Sequence, residues 1–144
     1  MRRVMLILGA ILLIGLVLGC PGRSSDAGKM VLAYYQAIND GDTAKAQSYV
    51  SLANTRMLEL TEAMVSVMAG KIQKMEILDI YEDEGIWGGP AGKFVYVRIT
   101  CAPGVPPHAS SNPGVSEYGK TCGAVTVIVV EYDSGWKIEA VGDY

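Results

Sequence analysis

The side chains with the greatest chemical potential in this 144-residue chain are its three cysteines, Cys20, Cys101 and Cys122. A thiol can carry a lipid, pair in a disulfide or bind a metal ion as its thiolate. A zinc site takes about four nitrogen or sulfur ligands at short spacings. This chain has a single histidine, His108, and no Cys-x-x-Cys pair. We therefore expect neither a metal site nor another cofactor.

The sequence contains no recognisable set of catalytic side chains. His108 lies in the loop APGVPPHASSNPG without an acid or nucleophile beside it, so a solvated histidine is the simpler interpretation. The acidic stretch 82–84 lacks the spaced oxygen ligands of a calcium loop. No Gly-rich turn joins a strand to a helix, as a phosphate-binding loop requires. We expect the chain not to be an enzyme.

The first residues have the composition of an export signal. Arg2 and Arg3 precede an uninterrupted apolar run of 16 residues, positions 4–19. A transmembrane helix needs about 20 apolar residues, so this run is short for a span and well sized for the core of a signal peptide. An uncleaved N-terminal anchor is the alternative.

The end of the apolar run, VLGC at positions 17–20, resembles the bacterial lipobox. The resemblance implies that residues 1–19 are a lipoprotein signal peptide and that the Cys20 thiol carries diacylglycerol. Residues 20–25 would then form a lipidated tether. Because two or three acyl chains hold a protein stably on a bilayer, we expect a lipid-anchored protein on the exported side of the cell membrane or envelope.

With Cys20 assigned to lipid by that resemblance, Cys101 and Cys122 remain as an even pair in an oxidising compartment. They flank a 20-residue loop rich in Pro, Gly and Ser. We predict a disulfide between them that clamps the base of this loop. Two buried free thiols are the alternative.

The charge of the chain argues against nucleic acid as a partner. Without Arg2 and Arg3, ten basic and fifteen acidic side chains leave a net charge of −5. Phosphate backbones are bound by clustered Lys and Arg, which this sequence does not contain. The remaining partners are the membrane, through the lipid anchor, and a protein or a small apolar ligand.

Three helices are predicted first along the chain. Apolar residues at helical spacing follow Asp26, which can cap the first helix, and Gly41 ends it. Asp42 can cap a short second helix. The third runs from about 54 to 69, where Gly70 stops it, and it carries one apolar face made of Met57, Leu60, Met64 and Met68.

Strands are predicted for the rest of the chain, at 71–81, 93–101, 121–132 and 136–141. The doubled apolar step Ile77-Leu78 suggests a bulge. Val95, Val97 and Ile99 alternate with polar residues and should face the core. Helices followed by antiparallel strands indicate an α+β fold, with the helices on one face of a sheet of about four strands.

Two stretches carry a resemblance to a known superfamily. VLAYYQAINDGDTAKAQSYV at 31–50 and YDSGWKIEAV at 132–141 resemble the opening and the end of nuclear transport factor 2-like domains, also called cystatin-like, in a branch of lumazine-binding-type bacterial lipoproteins. The resemblance implies that residues 26–144 form a cone, a curved antiparallel sheet wrapped around a helix and often enclosing a pocket.

A pocket inside such a cone would be the binding site. Its possible lining residues are Tyr34, Ile38, Met64, Tyr96, Arg98 and Trp136. From the missing catalytic set we expect a non-catalytic domain that binds a partner protein or a small ligand. The alternative implied by the superfamily is an isomerase- or dehydratase-like enzyme that uses a carboxylate or tyrosine in the pocket.

Overall fold

The structure is a computed structural model that describes residues 25–83, 91–109 and 119–143. The predicted signal peptide, the predicted lipidation site Cys20 and all but the last residue of the predicted tether lie outside the described residues. In the described parts of the chain, no helix combines the length and hydropathy needed to cross a membrane.

Three helices come first along the chain, and each begins at a side-chain cap. The predicted Asp42 cap is confirmed, since its Oδ1 accepts a hydrogen bond from the Lys45 amide at 2.9 Å. The predicted cap at Asp26 is wrong by one residue. Ser25 Oγ accepts from the Gly28 amide at 3.2 Å, and this places Asp26 inside the first turn. The helices are α1 (Asp26–Asn39), α2 (Thr43–Ser48) and α3 (Thr55–Met68).

Four strands then form one antiparallel sheet in which each strand pairs with the next along the chain. The predicted bulge in the first strand is confirmed by a shift in register between Ile77 and Asp79. A register shift in the last strand leaves Glu139 without a partner in register, because Ile138 pairs with Val129 and Ala140 pairs with Ile128. The strands are β1 (Ile72–Asp83), β2 (Gly92–Cys101), β3 (Gly123–Tyr132) and β4 (Gly135–Asp143).

The hydrophobic core lies between the helices and one face of the sheet, which makes the fold α+β. Val95, Val97 and Ile99 are buried as their alternation predicts. The apolar face of α3 is buried as well, and its residues are Met57, Leu60, Met64 and Met68. Buried residues that repeat every 3.6 positions on the helix and every 2 positions on the strand therefore pack together in one core.

The segment after α2 is joined to the edge strand β4 by backbone hydrogen bonds. The Ile138 amide donates to the Tyr49 carbonyl at 2.8 Å, and the Ser51 amide donates to the Ile138 carbonyl at 3.4 Å. This contact covers part of an edge that would otherwise present unpaired backbone groups. It also brings the start of α3 next to the bulge in β4.

Helices α1 and α3 run in the same direction. The Tyr34 hydroxyl in α1 lies 3.0 Å from the Thr61 hydroxyl in α3. At their far ends, the Gly70 amide just after α3 donates to the carbonyl of Asn39, the last residue of α1, at 2.7 Å. Contacts therefore advance together along both helices, and their N-termini lie at the same end of the helical layer.

Candidate functional site

Three of the predicted pocket residues, Tyr34, Ile38 and Met64, lie in the core with no exposed surface. The Tyr34 hydroxyl contacts the Thr61 hydroxyl and also lies 3.7 Å from Met64 Sδ. Burial raises the pKa of Tyr34 well above its ordinary value, because the phenolate would lose its hydration. Tyr34 and Met64 therefore join α1 to α3, and Ile38 belongs to the same hydrophobic core.

The neighbouring Tyr35 is also completely buried, and its ring packs edge-on against that of Tyr34 with 5.1 Å between centroids. Its hydroxyl has no hydrogen-bond partner within the described parts of the chain. Desolvation, with a smaller contribution from Tyr34, raises the pKa of Tyr35. Both tyrosines therefore stay protonated at neutral pH.

The other three predicted pocket residues lie elsewhere. Tyr96 and Arg98 alternate with the buried residues of β2 and are therefore on the outer face of the sheet, where Tyr96 packs edge-on against Tyr81 at 5.3 Å. Trp136 is half-buried in β4, with Lys93 Nζ 5.4 Å from its ring centroid. The six residues are thus distributed over the core, the outer sheet face and β4, because strand alternation separates neighbours onto opposite faces.

The structure instead has a groove between the start of α3 and β4. It consists of two adjoining depressions of about 310 and 330 Å³ that share Asn54, Arg56 and Glu139. We call this feature the α3–β4 groove. Its apolar part is lined by Met57, Leu60, Ala140 and Val141, and its more polar part by Ser51, Ala53, Thr55 and Tyr132.

Asn54 ties the two walls of the groove together. As the cap of α3, its Oδ1 accepts a hydrogen bond from the Met57 amide at 3.0 Å. Its Nδ2 donates across the groove to the Glu139 carbonyl at 2.8 Å and to Glu139 Oε2 at 3.1 Å. One side chain therefore begins the helix and fixes the position of the bulged strand residue.

Glu139 is held from a second side by Tyr132. The Tyr132 hydroxyl donates to Glu139 Oε1 at 2.6 Å. This hydrogen bond raises the pKa of Tyr132, because loss of the phenolic proton would leave two negative charges in contact. The arrangement is a carboxylate held in place by two neutral donors, with the exposed cation Arg56 on the same rim.

The groove combines an apolar floor with polar and charged side chains. An apolar segment can pack on the floor, and a polar end can reach a carboxylate, an amide or a guanidinium within the same depression. No group of three or more His, Cys, Asp or Glu side chains in the described ranges could hold a metal ion.

The sequence carries no pattern that predicts this groove. Asn54 was visible only near the start of a predicted helix, and Glu139 reads as an ordinary strand residue. Their meeting depends on a bulge in β4 and on contacts 85 residues apart along the chain. No periodic pattern encodes such a contact.

The predicted pairing of the last two cysteines is present in the structure. Cys101 and Cys122 form a disulfide with an S–S distance of 2.05 Å. It closes the loop 102–121, whose described parts are joined by a hydrogen bond from the Ala109 amide to the Gly119 carbonyl at 2.9 Å. His108 lies on this loop, where its backbone forms an isolated antiparallel β-bridge with Lys120. It is not among the residues that line the groove.

Comparisons of the chain with protein-family models, with curated proteins and with solved structures find no match.

Proposed function

We propose that this protein is a lipid-anchored envelope protein whose domain is a non-catalytic binding module, with the α3–β4 groove as its binding site. The observation that carries the proposal is the groove itself, which places an apolar floor beside the held carboxylate of Glu139 and the cation of Arg56. Such a surface suits a small amphiphile or an amphiphilic segment of a partner protein.

The state of the tyrosines favours binding over proton transfer. A general acid or base works best with a pKa near the operating pH. The pKa values of Tyr34, Tyr35 and Tyr132 are all raised above the ordinary value for tyrosine, which is already about 10. Glu139 accepts hydrogen bonds on both carboxylate oxygens, as a positioned binding group does.

We also propose that the domain is a nuclear transport factor 2-like cone. Support comes from the helices that pack on one sheet face and from the register shifts in β1 and β4, since bulges bend strands and increase their twist. The resemblance of residues 31–50 and 132–141 to that superfamily points the same way.

The anchor is tested by metabolic labelling with a clickable fatty acid. We expect the wild-type protein to incorporate label and the Cys20→Ala variant to lose it, because the proposed acyl chains require the Cys20 thiol and the new amino terminus beside it. The double variant Cys101→Ala/Cys122→Ala is the matched control and should stay labelled. Equal labelling of wild type and Cys20→Ala would refute the anchor.

The groove is tested by NMR of the methionine methyl groups, with octylammonium and octanoate as probes. Met57 lines the groove, whereas Met64 is buried beneath α1 and serves as the internal reference. We expect octylammonium to shift the Met57 methyl signal and to leave Met64 in place. Glu139→Gln should raise the Kd of octylammonium about fivefold, since one charge pair in water is worth about 1 kcal/mol.

The control variant is Glu62→Gln. It removes an exposed carboxylate from α3, the helix that carries Met57, and Glu62 does not line the groove. It should leave octylammonium binding unchanged, and Glu139→Gln should not weaken octanoate. If neither probe shifts Met57, or if both methionines shift together, the groove is not the binding site.

A further inference from the structure

The loop between α2 and α3, residues 51–54, presents the most exposed large apolar side chain in the described parts of the chain. Leu52 is 83% exposed, compared with 52% for Tyr81 and 41% for Tyr132. The next residue, Ala53, is exposed as well. A leucine this exposed contributes almost nothing to the packing of the domain. Its side chain is accessible to a surface outside the domain, and the location of Leu52 on the domain decides which surface it can contact.

The position of Leu52 follows from the parallel course of α1 and α3. Because the two helices begin at the same end of the helical layer, the loop that leads into α3 lies at the end where the chain enters α1 at Ser25. The described domain is therefore joined to the preceding residues on the side that carries Leu52.

The length of chain before Ser25 limits how far this end can be from a bilayer. This step rests on the proposed function, in which Cys20 carries the lipid. Ser25 lies five positions after Cys20, and a fully extended chain spans at most about 3.6 Å per residue, or about 18 Å in all. The N-terminal end of the helical layer is thus held close to the membrane surface whatever the conformation of the tether.

From these observations we infer that the 51–54 loop docks on the lipid bilayer, with Leu52 inserted at the boundary between headgroups and acyl chains. A single leucine adds little affinity by itself, but the acyl anchor supplies a high local concentration of membrane and makes the contact intramolecular. The exposed Arg56 is the second residue of α3 and follows Leu52 by four positions, so its long side chain can reach lipid phosphates while Leu52 is inserted.

The docked orientation bears on the groove. Ser51, Ala53 and Asn54 belong both to the loop and to the lining of the groove. Docking would therefore place one wall of the α3–β4 groove at the bilayer surface and would give ligands that partition into the membrane direct access to it.

The test uses the full-length acylated protein in vesicles of phosphatidylcholine and phosphatidylglycerol. A fluorophore sensitive to polarity is attached at Ala53→Cys, whose thiol is the only free one when Cys20 is acylated and the other two cysteines are paired. Ser66→Cys is the control site, since Ser66 is exposed on α3 and lies about 17 Å along the helix axis from Thr55, where α3 begins. Each site is read with Leu52 intact and with Leu52→Asp.

We expect the label at Ala53→Cys to emit at shorter wavelength on vesicles and to be quenched by nitroxide-labelled lipid, and we expect Leu52→Asp to abolish both effects. The label at Ser66→Cys should show neither. Equal behaviour of the two sites in protein that floats with the vesicles would overturn docking while leaving the anchor intact. A shift that grows with protein density without lipid quenching would indicate a second copy and also overturn it. Protein that fails to float would overturn both docking and the proposed anchor.

Discussion

Removal of the Cys101–Cys122 disulfide is expected to lower the free energy of unfolding by about 3 kcal/mol. The bond joins residues 21 apart in the sequence, and the loop-entropy treatment gives this value for a closed loop of that length. The double variant Cys101→Ala/Cys122→Ala, followed by urea unfolding, measures the effect. Both ends of the loop continue into strands, so the bond holds β2 and β3 together at that end of the sheet.

Reductant provides the control for this experiment. It should move the unfolding midpoint of the wild-type protein to that of the double variant and have no effect on the double variant itself. Non-reduced peptide mapping should recover Cys101 and Cys122 in one linked fragment. A wild-type midpoint that is indifferent to reductant, or recovery of both cysteines in alkylated form from exported protein, would contradict the bond.

Gly119→Ala is expected to cost about 3 to 5 kcal/mol, through two separate effects. Gly119 has a φ of +129°, a conformation that residues with a Cβ rarely adopt. A Cβ at this position would also come within 2.4 Å of the Ala109 carbonyl oxygen and 2.6 Å of Leu60 Cδ1. The disulfide-closed loop would have to move away from α3 to make room, and urea unfolding again measures the loss.

Gly104→Ala separates the two effects, because Gly104 lies in the same loop and also has a positive φ, of +92°. Nothing lies within 4 Å of a Cβ built there. This variant should therefore lose only the backbone contribution, about 1 to 2 kcal/mol. If the free energy of unfolding falls by the same amount in both variants, the close packing of Gly119 on Leu60 does not contribute to stability.

Both experiments concern a loop that reaches the candidate site. Leu60 packs closely against Gly119 and also lines the α3–β4 groove. Loss of the disulfide or of the tight packing at Gly119 should therefore alter the groove as well as the stability. The methyl signal of Met57, one turn before Leu60, provides the readout in the same samples.

The secondary structure follows from local patterns. Asp42 and the apolar face of α3 reflect interactions between residues three or four apart, and these are encoded directly in the sequence. Gly70 follows α3 with a positive φ of +70°, which a glycine adopts readily. The alternation of Val95, Val97 and Ile99 determines which face of β2 is buried. The cap predicted for the first helix is wrong by one residue. Ser25 and Asp26 are both good capping residues, and only the path of the chain selects between them.

The candidate site required the tertiary structure. Tyr34 and Met64 are on apolar helix faces, and a face of that kind can line a cavity or fill a core equally well. Here the hydroxyl of Tyr34 contacts that of Thr61, and both Tyr34 and Met64 are completely buried in the core. The groove depends on Asn54 meeting Glu139 at a bulge in β4, a contact between residues 85 apart.

The α+β class and the bulge in β1 follow from the sequence alone, because capping and periodicity are local properties. The pairing of Cys101 with Cys122 was predicted once the lipobox resemblance assigned Cys20 to lipid, and the structure contains this disulfide. The lipid anchor at Cys20, predicted from the motif VLGC at 17–20, lies outside the described residues and stays a prediction. The tertiary structure alone placed Leu52 at the end where α1 begins and assembled the groove beside it. Such juxtapositions come from the packing of distant elements, for which no stretch of sequence carries a pattern.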